Sequence, residues 1–286
     1  MFDNIKSMTW GFFSTTHILT LVASIVIIFA IYVWLHDESR KKQIIVLFFL
    51  SLSGMAAILF NFLNAPYWGQ SYWDYLPLHL CSLNAMLLPF AVLTRKKWIC
   101  NLLLLWSLGA YISLILNTTT GMDQFPLFSW KFFFYYFPHT LEAGIPILLF
   151  KLDLVKRDPK CIKSTLGITF AAYTVIHFIN VAINAAGFVR PNGEPVVVYY
   201  MFSVFAQDLR TNHLLHILHS IIPHDYFYMF LIIPIIIIYL GWWYFPELLK
   251  LHKSKRGLRK RLRAVEEYYD EYEEEYIEEI IEKKYD

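Results

Sequence analysis

The sequence predicts an all-α, polytopic membrane protein built around a bundle of seven transmembrane helices. Of its 286 residues, 57% are hydrophobic and only 17% are charged. A soluble domain carries about 25% charged residues and could not bury this much apolar surface in one core. The apolar residues are concentrated in runs of about 20, the length that crosses the hydrocarbon core as a helix. The composition therefore excludes a soluble globular protein, a disordered chain and a secreted disulfide scaffold.

Seven apolar runs have this length. Proline and glycine, which membrane helices tolerate, occur within several of them, and tryptophan is frequent near their ends. The predicted helices span residues 16–36, 43–63, 75–94, 97–117, 129–150, 162–186 and 226–246. Together they form a predicted membrane domain over residues 1–249.

The basic residues between the runs predict the orientation of the bundle. Of the 25 lysines and arginines, all but Lys6, Lys131, Arg190 and Arg210 follow the first, third, fifth or seventh run. Because basic residues are retained on the cytoplasmic side, the N-terminus should lie outside and the C-terminus in the cytoplasm. The first run lacks a basic flank before it and a cleavage site after it, so we expect it to insert as a helix. We expect a multi-pass protein of the cell membrane.

The long outer loop at 188–225 contains two features that the seven helices do not absorb. Its apolar stretch 196–205 is too short to cross and should pack on the outer face. The run HLLHILH at 213–219 spaces its histidines by three, which does not keep all of them on one side of a helix. We therefore expect an interfacial amphipathic segment there rather than a metal site.

The tail at 250–286 is basic and then acidic, and we expect it to be a cytoplasmic helix. Eight basic residues at 250–263 predict attraction to anionic lipid head groups, although they also serve as a stop signal for insertion. The acidic segment that follows argues against nucleic-acid binding. A short a/d pattern over 258–280 would allow a homo-oligomer, while a solvated charged helix is the default interpretation.

Polar residues within the apolar runs are the candidates for a functional site. Amide and ionisable side chains are costly in lipid and face the bundle interior or a water-filled cavity. Their depths place most of them in the outer half of the membrane, where their helices could converge. The candidates are His79, Cys81, Asn84, Asn117, His139, Glu142, His177, Asn180 and Asn184.

Two kinds of chemistry, and a structural role, fit these residue types. A cysteine beside an imidazole is a nucleophile and its base, and Cys81 with His139 supplies that pair. Zinc is the second option, with His79, His139, His177 and Glu142 as donors. No HExxH spacing supports it, so the sequence assigns no metal and no other cofactor. The structural alternative is that these residues are hydrogen-bonding contacts between helices.

The segment LPLHLCSLNAMLLPFAVLT at 76–94 closely resembles the signature of the YwaF-type membrane proteins, a bacterial family related to eukaryotic transmembrane protein 164. Later elements are also similar: Asn117 at the end of the fourth run, His139 in the fifth, and the NxxxNxxG pattern of Asn180, Asn184 and Gly187. The resemblance covers residues 10–248 and leaves out the tail.

This resemblance implies a cysteine-dependent acyltransferase that moves a fatty acyl chain between glycerophospholipids through an acyl-thioester. Cys81 would then be the acyl acceptor and His139 the general base, with phospholipids and lysophospholipids as substrates. Asn84, Asn117 or Asn180 could donate to the oxyanion. The alternatives are a transporter or ligand sensor with a buried His/Glu/Asn site, a metal-dependent intramembrane lipid hydrolase, and a purely structural membrane protein.

Overall fold

The computed structural model describes residues 13–116, 129–206 and 213–285, and within these ranges the chain is almost entirely helical. Its extended pairing there consists of one isolated bridge, between Val189 and Pro195. The all-α prediction is therefore confirmed. The α-helices are α1 (Thr15–His36), α2 (Arg40–Asn64), α3 (Leu80–Thr94), α4 (Lys97–Ile115), α5 (Trp130–Lys151), α6 (Cys161–Ala186), α7 (His213–Ile221) and α8 (Ile233–Tyr285).

Within the described ranges, five helical segments are long and apolar enough to cross a membrane. A multi-pass membrane protein is thus confirmed, whereas the number of seven spans and their orientation stay predictions. Helix α3 is apolar but shorter, and α5 is long enough but carries His139, Thr140 and Glu142. The five segments are Thr15–His36, Arg40–Trp68, Lys97–Ile115, Cys161–Ala186 and Tyr228–Arg263.

Helices α4 and α5 form the interior of the described bundle. Residues 99–107 of α4 are all buried, and α5 is buried along nearly all of its second half. Helix α5 packs against α1, α2, α3 and α4, and α3 packs against α2, α4 and α5. This direct contact between α3 and α5 positions the candidate site.

The outward faces of the helices are apolar. Ile25 and Phe29 of α1 are 70% and 64% exposed, and Phe178 of α6 is 65% exposed. Exposed side chains of this size and number would be unfavourable in water but match the acyl chains of a bilayer. The exposed apolar surface therefore agrees with a protein embedded in lipid.

Two helix starts differ from the predicted ones for local reasons. Helix α3 begins at Leu80 rather than at residue 75, because Pro77 restricts the backbone of Leu76 and a separate 3₁₀ turn, Tyr72–Tyr75, precedes it. Ser71 and Asp74 cap that turn reciprocally. Likewise, the predicted run 226–246 opens with the 3₁₀ turn Tyr228–Ile232 before α8 begins.

The chain divides into two compact units, one up to Leu240 and one from Gly241 to the C-terminus. The second unit is the continuation of α8, which is helical as far as Tyr285. The predicted boundary at 249/250 stays a prediction.

Candidate active site

Three chemically reactive side chains from two helices meet in the interior of the bundle. Cys81 is the second residue of α3, and His139 and Glu142 lie one turn apart on α5. One ligand atom of each, the Cys81 sulfur, a ring nitrogen of His139 and a carboxylate oxygen of Glu142, lies within 4.8 Å of the other two. His139 and Glu142 are buried, and Cys81 is partly exposed. We refer to these three residues as the Cys81 group.

A backbone carbonyl sets the orientation of the His139 ring. Nδ1 of His139 lies 2.7 Å from the carbonyl oxygen of Tyr135, one turn earlier on α5. Because a carbonyl oxygen only accepts, Nδ1 carries the proton and Nε2 keeps its lone pair. The Tyr135 ring stacks on the imidazole with a centroid separation of 4.5 Å. His139 is therefore held as the tautomer that a general base requires.

The thiol of Cys81 lies at the N-terminus of α3. The first backbone N–H groups of a helix have no carbonyl partner within it, and His79, the N-cap residue, does not cap them with its side chain. The N–H groups of Cys81 and Ser82 and the hydroxyl of Ser82 lie close enough to the Cys81 sulfur to favour negative charge on it. Donors at a helix N-terminus favour negative charge, so they would stabilise a thiolate or an oxyanion formed there.

Glu142 brings unsatisfied oxygens into the same region. Its side chain is fully buried, and among the described residues neither carboxylate oxygen has a hydrogen-bond partner. Asn84 is also fully buried; its amide nitrogen donates to the Glu142 carbonyl at 3.1 Å, while its own amide oxygen lacks a partner within the part of the chain that the structure describes. Buried acceptors without donors are uncommon in folded proteins. The oxygens of Glu142 and Asn84 could therefore accept hydrogen bonds from, or bind to, a ligand at the Cys81 group.

His79 connects the start of α3 to the outer loop. Its Nδ1 accepts a 3.3 Å hydrogen bond from the backbone N–H of Met201, and its ring makes edge contacts with Tyr199 and Tyr200. His79 is two residues before Cys81 and close enough to His139 for the two rings to interact electrostatically. It thus borders the Cys81 group on the side that faces Met201.

The asparagines of α6 belong to a different cluster, which holds the outer segment 196–206. The Asn184 amide exchanges two hydrogen bonds with the backbone of Val198, at 2.8 and 2.9 Å. The Asn180 amide does the same with Tyr200, at 2.9 and 3.1 Å, and also donates to the Ser203 hydroxyl. Both protons of the Asn180 amide are therefore used within the fold.

His177 joins that cluster through Nδ1, which lies 2.7 Å from the carbonyl oxygen of Ser203. The structure thus separates the predicted polar residues into two sets. Cys81, His139, Glu142 and Asn84 meet around the start of α3, with His79 at their edge, whereas His177, Asn180 and Asn184 bind the outer segment. Asn117 lies outside the described residues. The zinc donor set considered from the sequence, which included His177, is not the set that the fold brings together.

Sequence reasoning missed two features that shape this region. One is the carbonyl of Tyr135, which no side-chain pattern could reveal. The other is the ion pair between Arg190 and Asp74, with contacts of 2.8 and 3.0 Å, which joins the part of the loop before the segment 196–206 to the 3₁₀ turn before α3. The pairing joins residues that are far apart in sequence, so neither residue alone indicated it.

Fold and site together define a multi-pass helical membrane protein in which a partly exposed cysteine meets a buried histidine and a buried glutamate at the contact of two helices. The chain belongs to the TMEM164 family, whose model matches residues 12–244. This match confirms the relation to transmembrane protein 164 that the segment at 76–94 indicated. No curated protein and no solved structure matches the chain.

Proposed function

We propose that this protein is an acyltransferase of membrane phospholipids that carries the fatty acyl chain as a thioester on Cys81. The observation that carries the proposal is the approach of the Cys81 sulfur and a His139 ring nitrogen within 4.8 Å, at the N-terminus of α3. Membership of the TMEM164 family supports it through the resemblance described above. The cell membrane is the proposed location.

In the first half-reaction, Nε2 of His139 takes the thiol proton as the Cys81 sulfur attacks the acyl carbonyl carbon of a phospholipid. The tetrahedral intermediate collapses by breaking the bond to the glycerol oxygen. That oxygen takes the proton from His139, and the lysophospholipid leaves. Cys81 then carries the acyl group, and His139 is neutral again.

In the second half-reaction, the hydroxyl of another lysophospholipid gives its proton to Nε2 and attacks the thioester carbonyl. The carbon–sulfur bond breaks, and the thiolate recovers its proton from His139. Attack by water instead would release a fatty acid, which would make the same site a phospholipase. We propose lysophospholipid, rather than water, as the acceptor of the acyl group, which makes the protein a transferase.

For the oxyanion, we assign the backbone N–H groups at the start of α3. The N–H groups of Cys81 and Ser82 lie near the sulfur, next to which the carbonyl oxygen of a bound ester would lie. Of the asparagines considered for this task, Asn180 has both amide protons engaged, and Asn84 donates to the Glu142 carbonyl. The backbone donors are therefore the better candidates.

The test is peptide mass spectrometry on protein purified with native lipid. We expect a fatty acyl adduct on Cys81 that hydroxylamine removes and that is absent in Cys81→Ser. Cys100→Ser is the matched control, because Cys100 is fully buried and its sulfur contacts the Ala91 carbonyl, away from the Cys81 group.

Incubation with labelled phospholipid and unlabelled lysophospholipid then separates the two outcomes of the thioester. Label in a new phospholipid supports transfer, and label only in free fatty acid would mean hydrolysis. Absence of any adduct on Cys81, with both lipids supplied, would refute the acyl-enzyme.

A further inference from the structure

Glu142 is the member of the Cys81 group for which acyl transfer provides no task. His139 is oriented by the Tyr135 carbonyl, so it does not need the carboxylate for that purpose. Yet the Glu142 side chain is fully buried, and neither oxygen has a hydrogen-bond partner in the described part of the chain. A carboxylate in an apolar interior is costly unless it is paired or neutralised. Its position therefore indicates a ligand that the carboxylate would meet.

The donor set around Glu142 is that of a zinc site. Cysteine sulfur, histidine nitrogen and carboxylate oxygen are the usual zinc ligands, and three protein ligands leave one position open. In a tetrahedral site the ligand atoms lie about 3.3 to 3.6 Å apart, given zinc bonds of about 2.0 to 2.3 Å. Here they lie within 4.8 Å of one another, so an approach of about an ångström by side-chain rotation would complete the site.

Charge and orientation also favour a divalent cation. A thiolate and a carboxylate neutralise one divalent ion, so the complex with neutral His139 would carry no net charge in the low-dielectric interior. A metal-bound histidine commonly donates its second ring N–H to a backbone carbonyl, which fixes the other nitrogen toward the metal. Nδ1 of His139 makes this bond with the Tyr135 carbonyl.

We propose that Cys81, His139 and Glu142 form a three-ligand zinc site, and that a bound zinc ion reversibly blocks Cys81 as a nucleophile. On binding, the S–H bond of Cys81 breaks and the Glu142 carboxyl gives up any proton that it holds. The protons leave to solvent, and the sulfur electron pair forms the zinc–sulfur bond. No atom changes oxidation state. The blocking effect rests on the proposed acyl transfer, whereas the metal site stands independently of it.

The direct test measures how fast a maleimide modifies Cys81 in the full-length protein, in lipid nanodiscs, with and without zinc. Zinc held by the sulfur should slow labelling by about 100-fold when its concentration is 100 times its Kd. Cys161 is partly exposed and is not part of such a ligand group, so its labelling rate in the same sample is the internal reference. Labelling of Cys81 at an unchanged rate would overturn the proposal.

Glu142→Gln tests the third ligand, because the amide keeps the shape of the side chain but binds zinc weakly. We expect Cys81 in this variant to be labelled at nearly the same rate with and without zinc. Protection equal to that of the wild type would mean that Glu142 is not a ligand, and the three-residue site would be wrong.

Cobalt substitution provides a test on the unaltered protein, should Glu142→Gln fail to fold. Cobalt bound to a thiolate gives a sulfur-to-metal charge-transfer absorption, which we expect in the wild type and not in Cys81→Ser. Its absence in the wild type would overturn the site. The acyl adduct is assayed separately in chelator-treated protein: an adduct without zinc protection refutes only the metal site, and zinc protection without an adduct refutes only the acyl transfer.

Discussion

The reactive character of the site depends on which atom holds the His139 ring. In many nucleophile–base pairs a carboxylate orients the imidazole, and Glu142 lies one turn away from His139 on α5. The structure gives that task to the Tyr135 carbonyl at 2.7 Å instead. Residue type and helical spacing were enough to select Cys81, His139 and Glu142 as candidates. They could not reveal the orienting atom, because every residue has a carbonyl.

This assignment predicts different effects for two neighbouring substitutions. His139→Ala removes the base and should lower the rate of acyl-enzyme formation by about 10² to 10⁴-fold. Tyr135→Phe keeps both the carbonyl and the stacked ring and loses the bond from its hydroxyl to the Ser113 carbonyl. It should therefore retain the adduct. Time-resolved mass spectrometry of Cys81 measures both rates, and a Tyr135→Phe rate as low as that of His139→Ala would contradict the assignment.

At the scale of helices, the apolar runs predicted helix positions well because a transmembrane helix is specified by one-dimensional composition. Contacts between one helix or loop and another were harder to predict from the sequence. Asn180 and Asn184 were predicted as members of the polar site, and the structure shows them bound to the backbone of the segment 196–206. An amide side chain in an apolar helix indicates that it has a hydrogen-bond partner, but the sequence of the helix does not identify that partner.

Asn180→Leu should release this segment. It removes three hydrogen bonds and leaves the backbone N–H of Tyr200 buried without the acceptor that Asn180 provides, at a cost of about 1 to 3 kcal/mol. We expect faster proteolysis between 190 and 206 and a lower unfolding temperature. Asn192→Ala, in the exposed part of the same loop, is the matched control. Equal protease resistance of the two variants would show that the amide does not anchor the segment.

The close contact between α5 and α1 gives a second prediction at this scale. A Cβ added at Gly144 would lie 2.1 Å from Cδ1 of Ile28, whereas one at Gly167 would meet nothing within 4 Å. Gly144→Ala should therefore lower the unfolding free energy by about 1 to 3 kcal/mol. Gly167→Ala should leave it unchanged or raise it slightly, since alanine favours the helix. Thermal unfolding in detergent compares them, and equal midpoints would argue against the close packing.

At the scale of the whole molecule, the sequence predicts which loops face the outside and which face the cytoplasm. The geometry of the helices alone does not determine this orientation. The excess of basic residues after every second run places the loop around residue 192 outside and Cys161 inside. Two variants test this direction in intact cells with a membrane-impermeant maleimide. A protein whose single cysteine is Asn192→Cys should be labelled, and a protein that keeps Cys161 as its single cysteine should not. Labelling of Cys161 before lysis would reverse the predicted orientation.

The division of the chain after Leu240 bears on the role of the tail. The Cys81 group lies entirely within the first unit, and the family match ends at residue 244. Deleting residues 264–286 should therefore leave both the acyl adduct and the unfolding temperature of the membrane unit unchanged. Loss of the adduct on truncation, with the protein still monodisperse, would assign the tail to the working unit.

The bond between Met201 and His79 has a mechanical consequence. Met201 and Phe202 both have positive φ, near 52 and 54°, a conformation that costs about 1 to 2 kcal/mol for each non-glycine residue. The outer segment adopts it while Met201 donates to the histidine that begins α3, two residues before the nucleophile. A force applied to this segment would be transmitted through the His79 side chain, and through the contacts of Leu80 and Leu83 with the same segment, to the helix turn that carries Cys81.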